Sequence, residues 1–133
     1  MSRIQKVLNF AAKLIFGRKK YDHVSDLLLR LGWLSAADLG RYHTLSLTHK
    51  VLHSGEPESL AQMLRTVGEV HSRSTRQDDD LFIGRSRTEM GKRRFSIRAP
   101  TLYNELPENI RQLPTVSFSR HLKRHLAGRV RSQ

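Results

Sequence analysis

The sequence predicts a mainly α fold with a small β-hairpin, an α+β arrangement in which a short helical bundle packs against one antiparallel hairpin. Three observations carry this expectation. Apolar residues recur at helical spacing in several stretches. Ser and Pro stand where those stretches begin, and Gly where they end. Two short runs, Leu81-Phe82-Ile83 and Phe95-Ser96-Ile97, break the pattern and have the brevity and composition of strands.

Taken in order, Arg3 to Phe16 is an amphipathic helix: Ile4, Val7, Leu8, Ala11, Leu14 and Ile15 share one side, Ser2 is a fitting N-cap and Gly17 a fitting terminator. Its apolar side is expected to pack into the core and its lysines to face water. Ser25 to Leu31 is a short helix ended by Gly32, and Trp33-Leu34 anchors the connection that follows. Ser35 with Asp38 resembles a capping box and opens a longer helix running to about His53, stopped by Ser54-Gly55. Leu39, Tyr42, Leu45 and Leu52 form its buried side, with Leu47 and Val51 beside them. Pro57 suits the first position of a helix reaching about Leu64. Residues 68–80 are polar and aperiodic, hence a loop. The hairpin then spans Leu81 to Ile97, with Gly91 in its connection. Pro100 opens a short helix carrying Leu102, Tyr103 and Leu106, and Pro107 closes it. Ser117 caps a last helix with Phe118, Leu122 and Leu126 inward, and residues from Arg129 onward fray. The chain thus divides into 1–67, 68–80 and 81–133.

At 133 residues and 38% hydrophobic content the chain can hold one small core, as one domain or two subdomains. It has no cysteine, which excludes disulfides, zinc knuckles and a thiol nucleophile. No apolar run approaches the roughly 20 residues that span a bilayer, so an intracellular protein, nuclear or cytoplasmic, is expected. Lys and Arg number 24 against 12 Asp and Glu, a net charge of +12. Such an excess attracts polyanions. The acids cluster between Asp22 and Asp80, while the ends and the hairpin hold the surplus base. The candidate nucleic-acid contacts are therefore Lys6, Lys13, Arg18, Lys19 and Lys20 at the N-terminal helix; Arg85, Arg87, Lys92, Arg93, Arg94 and Arg98 about the hairpin; and Arg120, Lys123 and Arg124 on the last helix. Alternation along a strand would place Arg85 and Arg87 on one face.

Catalytic constellations are weak. Asp78-Asp79-Asp80 can in principle hold Mg²⁺, but the residues before it read as a loop, and a solvated turn is the expectation. The pairs His49/His53 and His121/His125 have the i, i+4 spacing of half a zinc site without a third ligand. They read as surface or interface histidines. No Gly-x-Ser-x-Gly elbow and no phosphate-cradling glycine loop is present. No catalytic residue, metal or cofactor is assigned. The basic first helix also admits another reading, as a protein- or membrane-interaction module or a targeting segment.

One stretch has a further resonance. Arg94-Phe95-Ser96-Ile97-Arg98-Ala99-Pro100-Thr101-Leu102-Tyr103-Asn104-Glu105-Leu106-Pro107-Glu108-Asn109-Ile110-Arg111 resembles the segment R-x-F-S-x-x-A-P-x-L-W/Y-N-x-L-P-x-x-I-R near the C-terminus of non-LTR (LINE-type) retrotransposon reverse transcriptases. Ile4 to Ile15 is similar to that family's L-Q-x-x-Q-N-x-A-A-R-L-I segment, with Phe10 where the family often has a small or polar residue. Lys20-Tyr21-Asp22-His23 with Leu31-Gly32-Trp33-Leu34, and then Phe118, Leu122, His125 and Leu126, follow in the family's order. The resemblance covers nearly the whole chain. It implies a thumb-like helical region and tail that follow the catalytic palm, hold RNA or an RNA–DNA hybrid, and contribute no catalytic residue. It also implies the upstream palm as a partner in a full-length polyprotein. The family's aromatic-x-Asp-Asp motif is absent, and Asp78 to Asp80 lie elsewhere. On the residues themselves, the Ala99-Pro100 to Leu106-Pro107 segment reads as a structural clasp, with Asn104 tying the turn.

Overall fold

The computed structural model describes residues 2–131. It is mainly helical, in the order α1 (Arg3–Ile15), α2 (Ser25–Leu31), α3 (Ala36–Ser54), α4 (Glu58–Ala61), α5 (Val67–Val70), α6 (Glu89–Lys92), α7 (Phe95–Asn104), α8 (Glu108–Arg111) and α9 (Thr115–Arg131). The contacts divide into two compact units, one of residues 1–42 and 122–133, the other of residues 43–121. The first unit draws on both ends of the sequence, and the boundaries fall inside α3 and α9.

In the first unit, Ser2 accepts a hydrogen bond from the Gln5 amide and caps α1. Gly17 and Gly32 take left-handed backbone conformations (φ 60° and 64°) just past α1 and α2, where a Cβ would be strained. Ser35 and Asp38 pair as anticipated: the Asp38 amide donates to the Ser35 hydroxyl, which donates to the Asp38 carboxylate at 2.8 Å. Ala12, Leu27, Leu34, Leu122 and Leu126 are buried here.

α1 packs the opposite way to expectation. Its apolar side stays outside, with Ile4, Val7, Phe10, Leu14 and Ile15 each more than half exposed. The inward side is small and polar. Ala12 is fully buried, and the Gln5 side-chain carbonyl accepts from the Ala36 amide at 2.7 Å while its amide donates to Asn9. The reason is steric and polar at once: alanine lets α1 lie close to α2, and the otherwise orphaned first-turn amide of α3 finds its partner on Gln5.

In the second unit the core is Leu45, Val51, Leu64, Leu81, Ala99, Pro100, Tyr103, Leu106, Ile110 and Phe118. Thr48 and His49 are fully buried among them. Thr66 and Glu69 close a reciprocal capping box around the single turn of α5, inside what reads from sequence as the start of a loop. Asp78 then ties the 74–78 turn by accepting from the Ser74 hydroxyl and the Thr75 amide at 2.7 and 2.8 Å.

The hairpin expected over Leu81 to Ile97 does not form among the described residues. Leu81 makes only an isolated antiparallel bridge with Thr66, and the chain from Phe82 to Thr88 is irregular. Phe95-Ser96-Ile97 is the first turn of α7. The physical reason is the longer pattern: Phe95, Ala99, Tyr103 and Leu106 recur at helical spacing, and burying that set outweighs the strand-like look of three residues. Pro100 lies within α7, where its missing N–H removes one helical hydrogen bond, and its ring is buried. Thr88 caps α6 by accepting from the Gly91 amide at 3.0 Å. Gly91 is buried there, and a Cβ in its place would overlap the Ser86 hydroxyl. In α9, Phe118, Leu122 and Leu126 are buried as the sequence pattern requires. The fraying expected from Arg129 lies partly outside the described residues.

Candidate nucleic-acid interface

The candidate cations fall into two sets. In the first unit, helical spacing puts Lys6, Phe10, Lys13 and Leu14 on adjacent turns of α1. The left-handed Gly17 then reverses the chain, so that Arg18 and Lys20 come back beside the helix. The ammonium of Lys13 donates to the Lys20 carbonyl, and the Lys19 amide donates to the Asp22 carboxylate at 2.9 Å, which together hold this turn. The result is an open cleft of about 500 Å³ lined by Lys6, Asn9, Phe10, Lys13 and Leu14 from α1 and by Arg18 and Lys20 from the turn. Among the described residues no carboxylate lines it. Lys19 is exposed on the same turn. Lys20 also lies 5.7 Å from the ring centroid of Tyr21, which is 89% exposed. Lys123 and Arg124 are exposed on α9.

In the second unit, Arg85 and Arg87 are exposed on the irregular segment before α6, so strand alternation does not govern where they point. Lys92, Arg93 and Arg94 are consecutive at the α6–α7 junction, and Arg98 follows one helical turn after Arg94. All four are exposed, as is Arg120. Of the candidate cations only Lys92 forms a salt bridge among the described residues, to Glu89. The hydrogen bond from Lys92, then its charge, hold the Glu89 carboxyl below the usual range.

The other polar constellations are engaged within the fold. The Ser74 and Thr75 hydrogen bonds hold Asp78 below the usual carboxylate range, and Asp80 pairs with Arg111 at 2.9 Å. His49 is buried rather than superficial. Its ring stacks on Phe118 with centroids 3.7 Å apart, its Nε2 donates to the Leu113 carbonyl at 2.9 Å, and its Nδ1 meets the Tyr103 hydroxyl at 3.2 Å. His53 and His121 each use Nδ1 on the carbonyl four residues earlier. Among the described residues no three of His, Asp or Glu are grouped as metal ligands.

No family model, curated protein or solved structure matches the chain. Charge and geometry alone therefore define the candidate interface. The cations were legible from sequence, but the two apolar residues lining the cleft were not: Leu14 reads as an ordinary core residue of an amphipathic helix, and Phe10 lies outside the set assigned to that side. The available signal was the placement of Phe10 between Lys6 and Lys13 at i, i+4 and i, i+3. No described helix is long and apolar enough to cross a membrane.

Proposed function

We propose that this chain is a non-catalytic, nucleic-acid-binding C-terminal region of a LINE-type reverse transcriptase, which holds RNA or an RNA–DNA hybrid through its basic surfaces. The observation that carries it is the set of exposed cations without carboxylate partners on α1, the turn after it, the α6–α7 junction and α9. Cations left unpaired in a protein of net charge +12 are available to phosphates, and each phosphate neutralised releases condensed counterions. The ordered resemblance set out above supports the choice of parent protein and of RNA as a ligand. In the Ala-Pro-x-Leu-Tyr-Asn segment, Asn104 accepts from the Leu81 amide at 2.9 Å and donates to the Leu81 carbonyl at 2.8 Å, a structural use of that residue. The upstream polymerase palm is the proposed partner, and the exposed apolar side of α1, with Ile4, Val7 and Ile15, is the surface offered to it.

The test is equilibrium titration of the whole chain with labelled structured RNA, RNA–DNA hybrid and duplex DNA at low salt. Sub-micromolar binding is expected. The same exposed stripe favours a second reading, a basic protein- or membrane-interaction module using α1. Binding to anionic vesicles or acidic peptides in preference to all three nucleic acids would select it.

A further inference from the structure

We propose that the cleft beside α1 is a binding site for single-stranded nucleic acid, with one base stacked on Phe10 and the neighbouring phosphates among Lys6, Lys13, Arg18 and Lys20. This rests on the nucleic-acid reading above and adds to it a site and a strand class.

The argument starts from Phe10. Its ring is 68% exposed, although nothing about a helix obliges an aromatic to face water. Beside it Leu14, 71% exposed, completes an apolar floor. Four cations line the same cleft, two on the helix and two on the returning turn. The combination asks for a ligand that is flat and apolar in one part and anionic in another, which describes a nucleotide in a strand. At about 500 Å³ the cleft falls in the usual range for small-ligand sites, about 300–1,000 Å³. A duplex keeps its base faces stacked inside and presents only phosphates, whereas an unpaired strand can turn a base out onto an aromatic ring. Among the described residues no lining carboxylate opposes the phosphates.

The experiment uses the whole chain, with fluorescently labelled oligothymidylate and oligouridylate, a duplex DNA of the same length, and phosphatidylserine vesicles. Phe10→Ala and Phe10→Trp both alter an exposed side chain, and circular dichroism checks that each keeps its helix content. Phe10→Ala is expected to weaken binding of both single strands by roughly tenfold or more, as loss of one base–aromatic stack does, and to leave duplex binding unchanged. Phe10→Trp is expected to restore the affinity, with its fluorescence quenched by oligothymidylate. If Phe10→Ala binds the single strands as the wild type does while nucleic-acid binding persists, the site is overturned and the broader function stands. If the wild type binds none of the nucleic acids, both fall. Capture by the vesicles with no competition from oligothymidylate overturns the site in favour of a membrane surface.

Discussion

At His49 both ring nitrogens are committed. The Leu113 carbonyl can only accept, so Nε2 carries a proton, while Nδ1 lies 3.2 Å from the Tyr103 hydroxyl, which also reaches the Arg111 carbonyl at 3.5 Å. The ring lies flat against Phe118 with 1° between the planes, and its burial favours the neutral form. Burial first, and then the neighbouring His53, lower its pKa to about 4. The unfolded chain takes up this proton near pH 6.5, its ordinary value. The stability due to neutral His49 is therefore complete above pH 6.5 and is lost as pH falls towards 4, by at most about 3 kcal/mol. Urea unfolding at a series of pH values is expected to show this loss in the wild type and its absence in His49→Gln; identical pH dependence in the two would contradict it. Phe118 bears on the same point from the other side. Phe118→Ala removes the stacking partner and leaves a cavity, at a cost of about 3–5 kcal/mol, which thermal unfolding would register as a large fall in midpoint.

Among the elements, α3 and α9 were legible as helices because each repeats its apolar spacing over several turns; the buried side followed the pattern in α9, whereas α3 buries Thr48 and His49 and leaves Leu47 exposed. α1 was legible as a helix but not in its orientation. Periodicity says which residues share a side, and only packing decides which side is covered; here Gln5 and Ala12 did so. The strand reading of Phe95 to Ile97 failed because three residues cannot distinguish a period of two from one of 3.6. α5 was missed although Thr66-x-x-Glu69 is the sequence form of a capping box. Two predictions belong at this scale. Thr66→Ala should cost about 1 kcal/mol in urea unfolding, since it removes the acceptor for the Glu69 amide. Asn104→Ala should cost about 1–3 kcal/mol and speed hydrogen exchange at the Leu81 amide above the rest of the core, since both backbone groups of Leu81 lose their partner. An unchanged exchange rate would mean that the clasp does not hold that segment.

For the whole molecule, the charge asymmetry was the most legible functional feature and the aromatic in the cleft the least. A cation tends to stay exposed wherever the chain goes, so its availability can be read from composition. The exposure of Phe10 depends on a packing choice that composition does not record. Binding of an RNA–DNA hybrid by the whole chain over a salt series tests the central claim most directly. The expected result is a linear fall of log K with log salt concentration, with a slope of about −3 or steeper, flattened when Arg85, Arg87, Arg93 and Arg94 are replaced together by Ala. No binding below micromolar at low salt to hybrid, RNA or DNA would contradict it.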